Sequence, residues 1–370
     1  MTDSIRSQSV FPVGYHQFHK DQLFNFQLNR WYSLGYARFE DMREAGQKIN
    51  SFEEWKSEML RLAEIAVSRG RLLNAAFYYR AAEFYTFQED SDKESLYDKF
   101  IELFYGVFQN DQIGRFQVPY TSRFLPAMRI PPESGKRRGT IVMHGGFDSL
   151  IEEFYSWMRF FSNRGYEVVA FEGPGQGAAR RKYGLALDYR WEEPTKAVFD
   201  YFQLNDVTLL GISMGGWFCF RAGAFEPRIR RIIASSIAFD YMQFPNILAQ
   251  QLGKFFFTYL RSLTDKMAMR KMKKDPMHAW TLGNLMYITK KRTPMDAMDV
   301  AMQLNERNVH SDRVKQDVLI LTGQEEQFIP LKMHAMQVKA LTREVCDLQG
   351  IQQARTRPES LPNWEHRSCT

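Results

Sequence analysis

Cysteine is scarce in this chain. The three present, Cys219, Cys346 and Cys369, are odd in number and scattered, and none stands in a C-x-x-C spacing. Neither a disulfide framework nor a zinc knot is indicated. Long apolar runs are missing too. No stretch approaches the roughly 18 uninterrupted residues of a membrane span. The opening "MTDSIRSQSVFPVG" lacks the basic-then-apolar layout of a secretory leader. Charge of one sign is not in large excess, with Lys+Arg 49 against Asp+Glu 43. A nucleic-acid binder wants a concentrated basic stripe. The densest clusters here, Lys136-Arg137-Arg138 and Lys271 to Lys274, are short and read as solvated faces. No repeat recurs at a fixed period, which argues against a helical array. These absences leave a reducing, cytoplasmic setting as the expectation, with no nucleic-acid, membrane, metal or cofactor partner. A small-molecule substrate is expected, and a homodimer is left open.

What is present is apolar material for a sizeable core: 44% of the 370 residues are hydrophobic and 15% are aromatic. That length suits two domains, or one with additions. Residues 1–115 read as a helical domain. Within it, "SFEEWKSEMLRLAEIAV" opens with the capping pair Ser51 and Glu54, followed by Trp55, Met59, Leu62 and Ile65 at helical spacing. "SDKESLYDKFIELFYGVF" offers a second pair, Ser91 and Glu94. The texture changes near Gln117. Over 116–345, the strand-like runs "GTIVMHGG", "YEVVAFEGPG", "DVTLLGISMGG", "RIRRIIASS" and "DVLILTG" alternate with helical stretches. That alternation predicts an α/β fold: a mostly parallel, buried sheet flanked by helices. Its functional residues should sit at the carboxyl ends of the strands. From about 240 to 310 no buried strand is evident, and half of the chain's 18 methionines fall there. This segment reads as a helical cap inserted over the sheet edge, with Met filling irregular apolar space. Residues 346–370 read as an atypical, Pro-broken tail.

Gly211-Ile212-Ser213-Met214-Gly215 fits G-x-S-x-G between a strand and a helix. Such a turn strains the Ser backbone and demands small neighbours. It would expose Ser213 as a nucleophile, with the Met214 N–H at a helix N-terminus facing a developing oxyanion. His144-Gly145-Gly146-Phe147-Asp148 ends an earlier strand. The second oxyanion donor is expected there, from Gly146 or Phe147. Asp148 would orient the loop or contact substrate, and His144 would brace the turn. "FEGPGQG" lacks the Lys-Ser/Thr of a phosphate loop and reads as a wall of the same cleft. "DVLILTGQEEQFIP" places Glu325 and Glu326 where the acid of a Ser…acid…His order would fall.

Taken together, "HGGFDS", "FEGPGQG", "GISMGG" and "VLILTG…FIP" resemble an α/β-hydrolase from roughly Phe116 to Leu341. With the helical N-terminal extension, the chain is similar to a narrower group. It contains dihydroxypseudooxynicotine hydrolases, fungal yellowish-green polyketide-shortening hydrolases, and FrsA-like and acylaminoacyl-peptidase-like proteins. The resemblance implies a catalytic triad and hydrolysis of an ester, amide or ketone (carbon–carbon) bond in a small, apolar or aromatic substrate. It also prefers Glu326 as the acid, where relatives usually carry Asp. Relatives place the base on an H-C-Q turn before a last helix. This chain instead continues "VCDLQGIQQARTRPESLPNWEHRSCT". His334 follows the acid closely and looks helical, so chain order leaves His366 as the base. Two alternatives stay open: an aberrant C-terminus, such as a shifted reading frame, and a catalytically impaired binding or regulatory protein on this scaffold.

Overall fold

A computed structural model describes residues 11–111, 113–240, 253, 255–257, 259–323 and 329–341. Among the described residues five helices come first: α1 (Gln22–Ser33), α2 (Phe39–Lys48), α3 (Phe52–Ser68), α4 (Leu72–Tyr85) and α5 (Asp92–Val107). Ser51 caps α3 as expected, accepting from Glu54 N at 3.1 Å, while the Glu54 carboxylate reaches back to Asn50 N. The second expected pair is not formed. Ser91 is already helical and makes no side-chain cap. Asp90 accepts from Asp92 N instead, and Glu94 turns away to Arg181. An acidic residue one position upstream outcompetes the serine for the free N–H groups.

The sheet follows: β1 (Gly114–Tyr120), β2 (Arg123–Ile130), β3 (Gly139–His144), β4 (Tyr166–Phe171), β5 (Val207–Ile212), β6 (Ile229–Ser235) and β7 (Asp317–Leu321). Their order across the sheet is β1-β2-β4-β3-β5-β6-β7. The β1–β2 and β2–β4 pairs are antiparallel and the remaining pairs parallel. The connecting helices are α6 (Tyr155–Ser162), α7 (Gly177–Arg181), α8 (Glu192–Phe202) and α9 (Met214–Gly223). Between β6 and β7 the described residues hold no strand. They form α10 (Arg261–Met272), α11 (Pro276–Thr289), α12 (Pro294–Ala301) and the short α13 (Glu306–Val309). Helix α14 (Leu331–Ala340) follows β7.

Strand alternation divides the interior. Ile141 and Met143 face the N-terminal helices, together with Val168, Ala170 and Leu210. Val142, Val169 and Leu209 face α8, α9 and the cap. Helix α4 is buried at every position from Leu73 to Tyr85, because α3 and α5 cover it on either side. A helix with no polar face must lie inside a structure. Aromatic rings fill much of this interior, for example the stacked rings of Tyr36 and Phe77, 3.6 Å apart. The helices therefore share one apolar cluster with the sheet.

Candidate active site

Ser213 sits in the tight turn from β5 into α9 with φ 59° and ψ −122°, left-handed backbone that a side chain rarely adopts. Its N–H donates to Ser235 O on the neighbouring strand at 2.8 Å, and its carbonyl accepts from Gly216 N at 2.8 Å. These two bonds hold the strained residue between strand and helix. The side chain is exposed and makes no capping hydrogen bond. Both flanking glycines are obligatory. A methyl group at Gly211 would stand 2.0 Å from Gly215 O, and one at Gly215 would stand 2.6 Å from Gly145 O.

The β3 exit packs against this turn. A methyl group at Gly146 would stand 2.8 Å from Met214 N and 2.9 Å from Ile212 O. The structure thus brings together Ser213, Met214, Gly146 and, by chain continuity, Phe147. The start of α9 and the end of β3 lie side by side next to Ser213.

His144 is fully buried and lies beneath the turn. Its ring packs against Phe171, Trp191 and Phe218, with Nδ1 3.2 Å from Gly145 O and Nε2 3.5 Å from Cys219 Sγ. Burial holds its imidazole down at about 4, although the Gly145 contact opposes this. It stays neutral and structural.

The "FEGPGQG" segment is buried from Phe171 to Gln176. The Gln176 amide donates to Gly145 O at 2.7 Å and Gly146 O at 3.1 Å, and its oxygen accepts from Gly173 N at 3.0 Å. It thereby fixes the glycine loop from behind. Glu172 accepts from Ile151 N and Ala178 N, tying the two strand-end loops together. Burial, and then the nearby Glu152, raise its carboxyl well above the usual carboxylate range. The sequence offered no period or motif for these roles. The one signal was a Gln in an otherwise Gly/Pro loop.

Asp148 keeps 26% side-chain exposure and lies 3.5 Å from the Arg30 guanidinium. Burial pushes its carboxyl up, and Arg30 counters. Its carbonyl accepts from Arg80 at 2.6 Å. Arg80 also bonds Glu83 and Glu153, and Arg30 reaches Glu153 at 2.5 Å. Glu83 in turn meets Lys93 and Arg181 at 2.9 and 2.7 Å. Burial pushes Glu83 up, but Lys93, Arg80 and Arg181 together outweigh it and hold it at about 2. This network joins α1, α4 and α5 to the Asp148 loop and to α7. Its sequence signal was a charged i, i+3 pair inside the apolar "NAAFYYRAAEFY".

Beside Phe147 and Asp148 lies a cavity of about 50 Å³, walled by Phe84, Phe147 and Trp280 and floored by Arg80 and Gly175. Helix α11 supplies Trp280 to this lining, and its indole N–H donates to Phe84 O at 2.7 Å. Glu325, Glu326 and His366 lie outside the described residues. His334 is described, on α14, with Nδ1 3.0 Å from Thr322 Oγ1.

The fold and this strand–turn–helix define an α/β-hydrolase. Residues 135–355 match the serine aminopeptidase S33 family, and the chain belongs to that family. It is a hydrolase. Among curated proteins it is similar to hydrolase acrC of Aspergillus aculeatus, 26% identical over 346 residues that cover 80% of this chain and 74% of that one. It is also similar to 20-hydroxy-prefusarin hydrolase FUS2 of Gibberella moniliformis, 25% identical over 366 residues, covering 85% and 84%. Among solved structures, a 2,6-dihydroxy-pseudo-oxynicotine hydrolase superposes with TM-score 0.61 at 22% identity, covering 84% of this chain and 85% of that one. AbyA5 superposes with TM-score 0.63 at 17% identity, covering 87% and 86%. At those identities the likeness speaks for the fold alone.

Proposed function

We propose that the chain is a serine hydrolase working through Ser213. The observation that carries this reading is the positive φ of Ser213 in a turn where Gly211 and Gly215, two residues to either side, leave no room for a side chain. Such strain is retained where a side chain must be presented. Ser213 Oγ attacks the acyl or ketone carbon. A histidine accepts its proton, and an acid orients that imidazole and stabilises its charged form. His366 and Glu326 fill these roles by chain order. The N–H groups of Met214 and of Gly146 or Phe147 bind the oxyanion, each worth about 3–4 kcal/mol in the transition state. The leaving group departs with a proton, and water then releases the acyl group from Ser213. His144 is set aside as the base because burial keeps it beneath the turn and neutral.

The aromatic walls Phe84, Phe147 and Trp280 support an apolar or aromatic group on a small substrate, beside the charged Arg80, Glu83, Lys93 and Arg181 that share the lining. Asp148, loosely held by Arg30, lies where a polar substituent would reach it. One relative is named as a 20-hydroxy-prefusarin hydrolase, which supports hydrolysis of a small organic molecule. A fluorophosphonate probe should label Ser213, and Ser213→Ala should abolish both labelling and turnover. Folded protein that resists labelling would overturn the reading in favour of a binding protein on this scaffold.

A further inference from the structure

We propose that the outward face of cap helix α10, with Phe255 and Tyr259 just before it, docks on an anionic phospholipid surface. No residue of α10 is buried, yet the helix has a defined inner side. Arg261 pairs with Asp296 and Asp299 of α12 at 2.7 and 2.6 Å. Asp265 accepts from Met295 N at 2.8 Å. Ala268 and Met272 pack on the apolar cluster below. The opposite side follows from helical geometry. Leu263, Met267, Arg270 and Lys274 fall within an arc of roughly 60°, flanked by Lys266 and Lys273 on one side and Lys271 on the other. The last turn continues past the helix end, with Lys274 N bonded to Lys271 O at 2.9 Å.

This face is apolar at its centre and basic around it. Leu263 is 46% exposed, Met267 54%, Phe255 49% and Tyr259 75%. All five cations are exposed. The nearby carboxylates are spent on the inner side: Asp296 and Asp299 on Arg261, Asp265 on Met295 N, and Asp275 on the cap of α11. The sequence alone read Lys271 to Lys274 as a solvated face and expected no membrane partner, because no segment could span one. Among the described residues no helix is long and apolar enough to cross a membrane. Lying on the surface requires neither length nor continuity. It needs apolar side chains to enter the headgroup boundary and cations to meet anionic lipid.

Charge selects this occupant over two others. A second copy packed two-fold on this face would set the same cations against one another. A nucleic acid would satisfy the cations but leave Leu263, Met267 and Phe255 in water. An anionic bilayer answers both, since the Lys and Arg stems lie along the apolar boundary with their heads at the phosphates. The face also has a suitable place in the molecule. Met272, on the inner side of α10, lines a cavity of about 90 Å³ that shares Gln88, Trp280 and Asn284 with the cavity beside Phe147.

The test is cosedimentation of the full chain with phosphatidylcholine vesicles, with and without phosphatidylserine. It does not depend on the chemistry of Ser213. We expect binding to the phosphatidylserine-containing vesicles only, weakening as salt rises. Each of Lys266→Ala, Arg270→Ala and Lys274→Ala should weaken it about fivefold. Leu263→Ser/Met267→Ser should abolish it while leaving Tm and the cleavage of a small, water-dissolved ester unchanged. The proposal fails if the protein stays in the supernatant with anionic vesicles, or if these variants bind as well as the parent. It fails equally if the variants instead break a dimer or the binding of RNA.

Discussion

Gly146 lies over the backbone nitrogen of Met214, so close that a single added methyl group would stand 2.8 Å from it. Two loops separated by some seventy residues of sequence meet at this contact, β3 with its glycine exit and β5 with its serine turn. The register of the parallel sheet makes it so: His144 pairs with Gly211 as β3 and β5 end together.

Gly146→Ala should therefore strike function harder than stability. Backbone atoms surround the new methyl group, so the loop itself must shift. Displacing one oxyanion donor is expected to lower kcat by about 10²–10³-fold, with KM little changed. Steady-state kinetics beside a thermal melt will separate the two effects. A folded variant with near-parental kcat would remove this loop from the oxyanion site.

Gln176→Leu is isosteric enough to pack but leaves Gly146 O and Gly173 N without this partner, and leaves Gly145 O with only its contact to His144 Nδ1. Unsatisfied buried groups cost about 1–3 kcal/mol each, less where water or relaxation intervenes. A stability loss of about 2–3 kcal/mol in urea is expected, together with a fall in kcat as the glycine loop loosens. Unaltered kinetics would mean that the loop holds its shape without the amide.

Glu83 is bonded by two buried cations, Arg80 and Lys93, and by the half-buried Arg181. Glu83→Ala would leave Lys93 without a carboxylate, while Arg80 keeps Glu153 and Arg181 keeps Glu94; breaking a buried ion pair costs about 3–5 kcal/mol. Because the cluster joins α4 to α5 and α7, the loss should appear as a single earlier unfolding transition. If instead the N-terminal helices melt separately and leave the sheet folded, the cluster is not what couples them.

The pH dependence of stability should carry the mark of His144. Its imidazole is held at about 4 in the folded protein, against an ordinary 6.5. The unfolded chain therefore binds the extra proton between those values. Stability is full above about 6.5 and is lost as pH falls through about 4, by ~3 kcal/mol in total for this group. Melting curves from pH 7 to 4 should show that slope, and His144→Asn should flatten it at the expense of overall stability.

Local pattern decided a good deal of this protein. The strand–helix alternation specified a parallel sheet because buried strands must be apolar along their whole length. The glycines of "GISMGG" and "HGG" specified tight turns because no other residue fits so close to backbone. The capping pair at Ser51 specified where α3 begins. Interactions between distant segments were not readable in the same way. The failure at Ser91 shows why: Asp90 competed for the same N–H groups, and Glu94 found Arg181 on a helix far along the chain. The pairing of Gln176 with the β3 loop, the burial of His144 under the serine turn, and the ionic cluster centred on Glu83 all depend on which loops the sheet order brings together. The outward face of α10 depends on the same thing, since only the packing of Arg261, Asp265, Ala268 and Met272 determines which side of that helix meets water. Periodicity and turn chemistry act within a few residues and are written in the sequence. Desolvation and charge pairing act across space, and only the tertiary structure assigns them.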